Sequence, residues 1–91
     1  MKLNEIQKEM LKEMLNWGEY SYSSDWLLNV IKIDGVYVEK KEILENMRKL
    51  REAGLVHMFR GGLNEDGEVV GGTHFSIKYG KIKEVEALVE S

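Results

Sequence analysis

A chain of 91 residues, 43% hydrophobic and 32% charged, is sized for a single domain over residues 1–91 with one modest core. Lacking cysteine and proline, it has no disulfide, no thiolate metal site and no prolyl isomerisation to slow its folding. No apolar run approaches the roughly 18 residues of a membrane helix, and the charged, amphipathic start MKLNEIQKEM is unlike a secretory leader, so a cytoplasmic location is expected. The net charge of −3 speaks against a strongly basic nucleic-acid binder, but its distribution is uneven. Residues 36–60 carry six bases and four acids, whereas residues 1–35 carry four bases and six acids. Residues 61–72 hold three acids and no base, and 73–91 balance at three of each.

The first predicted helix runs from about Asn4 to Asn16. Asn4 is its N-cap, since its side-chain oxygen can accept from an unpaired first-turn amide. Leu3, Ile6, Met10, Met14 and Trp17 fall on one face, widened by Leu11 and Leu15, with Glu5, Lys8, Glu9 and Lys12 opposite. Gly18 is the expected C-terminal cap. GEYSYS follows as a short alternating piece, read as a minor strand with Tyr20 and Tyr22 on one face. Ser24 and Asp25 then suit the cap and first turn of a second helix. Residues Trp26 to Ile33 are apolar nearly all round, the pattern of a helix sandwiched between others, which the turn at Asp34-Gly35 would end. A third helix spans Val38 or Glu39 to Ala53, with Ile43, Met47 and Leu50 inward and Leu44 beside them. Lys41, Glu42, Glu45, Arg48, Lys49 and Glu52 face out, and Gly54 closes the helix.

A hairpin follows directly. A two-residue type I′ turn at Asp66-Gly67 sets Phe75 opposite Met58 and Ile77 opposite Val56, giving one apolar side. His57 then faces Ser76, and Phe59 faces His74, on the other side. Turn chemistry and alternation agree, and a one-residue slip would invert both faces. The same register pairs Gly61 with Gly72 and Gly62 with Gly71. No side chains stiffen that point, so the tip from Leu63 to Val70 is expected to move relative to its base. The tip bears Glu65, Asp66 and Glu68. The final segment, roughly Lys81 to Glu90, has helical spacing at Ile82, Val85 and Val89, with Leu88 nearby. It is too short to hold as a helix alone, so it must pack on the first helix or on a second copy.

Two stretches carry a family resemblance. Met47-Arg48-Lys49-Leu50-Arg51-Glu52-Ala53-Gly54-Leu55-Val56 resembles the winged helix-turn-helix superfamily, in the style of PadR- and MarR-type regulators, whose recognition helix ends in a similar Leu-x-x-x-Gly-Leu-Val run. His74-Phe75-Ser76-Ile77-Lys78-Tyr79-Gly80-Lys81 is similar to that family's strand ending in Leu-Thr-x-x-Gly-Lys, although no threonine follows Ile77 here. The resemblance implies an α+β fold, a winged helix-turn-helix with a three-helix core, a C-terminal β-hairpin wing and a short final helix. It further implies that the third helix enters the major groove of duplex DNA and that the wing touches the backbone. Carried over by position, the nucleic-acid candidates are Tyr37, Lys40 and Lys41 near the helix start, Arg48 farther along, and Arg60 at the wing base. A homodimer through Ile82, Val85, Leu88 and Val89 would complete a small transcriptional regulator.

Against this stand solvated charges. Lys41 with Glu45, Glu45 with Lys49, and Arg48 with Glu52 sit three or four apart and can neutralise one another. Three acids at the wing tip would repel phosphates, so the tip must point away from DNA. Alternatively the acidic, glycine-hinged tip, with Leu63, Val69 and Val70, serves a protein partner and the chain binds no DNA. His57 and His74, diagonal neighbours in the register, fall short of the four ligands a closed zinc site needs, so no metal or other cofactor is expected. Phe59, exposed on that face unless covered, marks a contact with another element or subunit. Trp17, Trp26, Met10, Met14, Met47 and Met58 read as core. No phosphate-binding glycine loop or activated nucleophile assembles, so the chain is not expected to be an enzyme.

Overall fold

Asn4 starts the first helix through a reciprocal cap. Its Oδ1 accepts from the Gln7 backbone N–H at 2.8 Å, and Gln7 Oε1 accepts from the Asn4 N–H at 3.0 Å. The computed structural model describes residues 2–17, 22–23, 29–60, 66 and 73–91, with the side chains of residues 17, 22, 23, 59 and 60 outside that description. Helix α1 spans Glu5–Trp17 and buries Met10, Leu11 and Met14, while Leu3 is buried just ahead of it. Strand β1 is Tyr22–Ser23. Strands β2 (Lys32–Ile33) and β3 (Val36–Tyr37) form a second, two-stranded sheet. Helix α2 spans Lys40–Glu52, β4 spans Val56–Arg60 and β5 spans Thr73–Ile77. A 3₁₀ turn at Tyr79–Lys81 leads into helix α3, Ile82–Glu90. The described chain is thus α+β, with three α-helices and small antiparallel sheets.

The second predicted helix requires correction. Asn29 and Val30 form a turn, and Lys32–Ile33 is a strand paired with Val36–Tyr37, so no helix reaches Ile33. Asp34 and Gly35, at φ 53° and 81°, both sit in the left-handed region. That is the signature of a two-residue type I′ hairpin turn, whose twist matches its flanking strands. The Val38 N–H donates to the Ile31 carbonyl at 3.1 Å, extending the ladder by one pair. Ile31 and Val38 are buried, so the hairpin is rooted in the core while its tip stands out. Residues 24–28, including the proposed Ser24 cap and the core assignment of Trp26, lie outside the described residues. So do the Gly18 cap, Tyr20, the facing glycines and most of the wing tip.

Helix α2 ends as its glycine requires. Gly54, at φ 80°, lets its N–H reach the Arg51 carbonyl at 2.9 Å while the Leu55 N–H reaches that of Leu50 at 3.1 Å. This Schellman pattern brings Leu50 and Leu55 together in the core and turns the chain straight into β4. The β4–β5 register is the one read from the sequence: Val56 opposite Ile77, His57 opposite Ser76, Met58 opposite Phe75 and Phe59 opposite His74. Strand β1 joins the far edge of β5, giving the order β1-β5-β4, with Tyr22 opposite Phe75. Phe75 and Val56 are wholly buried and Met58 and Ile77 pack beside them, so the apolar side faces the helices. Helix α3 folds onto α1 and places Val85 in the same core. The Lys8 ammonium donates to the Ser91 carbonyl, setting the end of α3 beside the start of α1.

Candidate nucleic-acid interface

Helix α2 turns its charges into two stripes. Its buried side is Ile43, Asn46, Met47 and Leu50. Successive residues advance by about 100° around a helix, so Lys40, Leu44, Arg48 and Arg51 follow one flank, with Lys41 at its outer edge. Glu42, Glu45, Lys49 and Glu52 follow the other. The basic flank lies toward the hairpin, because Arg51 Nη1 contacts the Met58 sulfur on β4 at 4.0 Å. Lys40, Lys41, Arg48 and Arg51 are all exposed. Among the described residues none of the pairings Lys41–Glu45, Glu45–Lys49 or Arg48–Glu52 closes to within 4.0 Å. Ion pairs do close at Glu9–Lys12 and Lys81–Glu84, both at 3.5 Å.

The candidates named from the sequence do not all share this surface. Lys40 and Lys41 occupy the first turn of α2, and Arg48 lies two turns along the same flank. Tyr37 is in β3, ahead of the helix, where the Lys32 ammonium lies 4.5 Å from the centre of its ring. That cation–π contact joins cross-strand neighbours on one face of the β2–β3 hairpin. Arg60 closes the described part of β4 opposite Thr73, and its side chain lies outside the described residues. Arg51 joins Lys40 and Arg48, and the positional carry-over missed it. The signal was present in the sequence as the spacing i, i+8, i+11 from Lys40.

The inner side of α2 holds a polar link that the sequence reading did not find. Asn46, only 7% exposed, accepts from Asn4 Nδ2 at 2.8 Å and donates to the Glu42 carbonyl at 2.8 Å. With Gln7, which is also buried, this network fixes the start of α1 against the middle of α2 and so sets how α2 is presented. Among the described residues no buried side-chain nitrogen or oxygen lacks a partner.

On the outer face of the main sheet, His57 is exposed but His74 is buried, so the two histidines do not share one environment. No group of three or more histidine, aspartate or glutamate residues stands close enough to hold a metal ion among the described residues. Of the acidic tip, Asp66 is described and is exposed. Among the described residues no helix is long and apolar enough to cross a membrane. Of the four side chains named for a dimer, Val85 is wholly buried within the chain, Leu88 and Val89 pack against its core, and Ile82 is 38% exposed. No protein-family model, no curated protein and no solved structure matches this chain.

Proposed function

We propose that this chain is a DNA-binding transcriptional regulator of winged-helix type, with α2 as the helix that enters the major groove. The observation that carries the reading is the segregation of charge on α2, with Lys40, Lys41, Arg48 and Arg51 on the flank nearest the hairpin. A helix followed at once by a three-stranded sheet supports it, because a hairpin beside a groove-bound helix meets the flanking backbone. The cations contact phosphates or base edges, Tyr37 packs on the sugar-phosphate chain, and Arg60 anchors the wing base. In a homodimer two such helices lie about one DNA turn, roughly 34 Å, apart.

Binding to mixed duplex DNA across a salt series tests this. Each phosphate contact contributes a slope of roughly −0.9 in log affinity against log salt, so four cations predict about −3 to −4. Lys40→Glu combined with Lys41→Glu abolishes binding, and Arg51→Ala flattens the slope by about 1 if Arg51 meets a phosphate. The rival reading, a protein-interaction module using its acidic wing, draws on the net charge of −3. Absence of DNA binding at low salt by the folded protein decides for the rival.

A further inference from the structure

Among the described residues the exposed large hydrophobic side chains fall at two places in the chain, Val36 (69%) and Tyr37 (54%) on β3, and Tyr79 (93%) and Ile82 (38%) at the start of α3. The first pair borders an open groove of about 400 Å³ between the β2–β3 hairpin and the first turns of α1 and α2. Its apolar wall has a structural origin. Ile31 and Val38 root the hairpin in the core, and Ile33 and Val36, two residues along each strand, continue that face beyond the core edge. Ile6 completes the wall from α1, and Glu5 and Glu42 supply two exposed carboxylates. Neither carboxylate has an ion-pair partner among the described residues.

The second pair has complementary chemistry. Tyr79 stands out from the 3₁₀ turn, Ile82 opens α3, and Lys78, Lys81 and Lys83 flank them. Lys81 is bridged to Glu84, but Lys83 is exposed and has no ion pair among the described residues. The end of α3 lies beside the first turns of α1 through Lys8 and Ser91, and neither Tyr79 nor Ile82 of the same chain lines the groove.

We propose that the Tyr79–Ile82 knob of one copy docks in the Ile6–Ile33–Val36 groove of a second copy, with Lys83 meeting Glu5 and Glu42. Each chain carries both halves, and the arrangement proposed is a two-fold pair in which each knob meets the other copy's groove, making two equivalent contacts. Leucine-zipper-like packing of α3 on α3 is not required, which agrees with the burial of Val85.

Sedimentation velocity over a dilution series, without nucleic acid, tests the contact. The wild-type chain should sediment as a dimer that dissociates on dilution. Tyr79→Asp, Glu42→Lys and Lys83→Glu should each weaken association by at least about tenfold, equivalent to roughly 1.4 kcal/mol. Mixing the Glu42→Lys protein with the Lys83→Glu protein should restore most of it, because one mixed contact is then wild type and in the other the two substituted side chains carry opposite charges, opposed only by Glu5. Circular dichroism confirms that these surface variants are folded. A monomer at every concentration overturns the proposal, and so does a dimer indifferent to all three substitutions. DNA is absent from the experiment, so either result leaves the DNA reading to its own test.

Discussion

Asn46 is the residue whose role the chain most conceals. It sits three residues after Ile43 and four before Leu50, on the stripe that α2 buries, where a polar side chain normally costs stability. It is accommodated because Asn4, already the cap of α1, turns its amide nitrogen to it at 2.8 Å. Asn46→Ala should cost about 1–3 kcal/mol, since it removes two hydrogen bonds and leaves a gap between the helices. Asn4→Ala loses the cap as well, at about 1 kcal/mol. Urea denaturation of both singles and the double variant checks the link. A shared contact makes the combined loss smaller than the sum, and strict additivity would refute it. The cap was legible in the sequence, from an asparagine ahead of an amphipathic run. Its second partner, 42 positions away, was not.

At the scale of elements, the chain contains the same dipeptide twice, and only one copy was read as a hairpin. Asp66-Gly67 was placed between alternating segments long enough to check its register, and the observed β4–β5 pairing agrees. Asp34-Gly35 reads as the end of a helix because the run from Trp26 to Ile33 is apolar without alternation. Periodicity alone cannot separate a buried strand from a helix in so short a run. The β-branched Ile33 and Val36 flanking the turn were the available clue. The physics of the turn yields a direct prediction. A Cβ on Gly35 meets nothing within 4 Å, so Gly35→Ala is opposed only by the backbone at φ 81°. The expected loss is about 1 kcal/mol, measured as a lower urea midpoint, with Gly35→Asn costing less. A neutral Gly35→Ala would argue against the type I′ turn. The two stripes of α2 belong to this scale too. They follow from spacing, whereas the side that faces the wing is known only from the Arg51–Met58 contact.

At the scale of the whole molecule, α3 decides how the domain closes. Its nine residues are too few for a helix to persist unaided, so it is held by α1 and by Val85 in the common core. Val85→Asp should therefore unfold the protein or cost several kcal/mol, by burying a charge without a partner. Ile82→Asp, at a partly exposed position, should keep the far-UV circular dichroism and thermal midpoint near wild type while weakening self-association. Equal effects from the two would contradict the observed packing. By itself the sequence determined what depends on neighbours a few residues apart. It set the helical stripes of α1, α2 and α3, the Asn4 and Gly54 caps, and the β4–β5 register, because periods and turn chemistry are local. Tertiary structure alone decided the rest. It chose strand over helix for Lys32–Ile33, joined Asn4 to Asn46, buried His74 but not His57, and folded α3 onto α1. Each of those outcomes turns on which surfaces meet across long stretches of chain, and burial and hydrogen-bond satisfaction at such contacts are not encoded in any short window of residues.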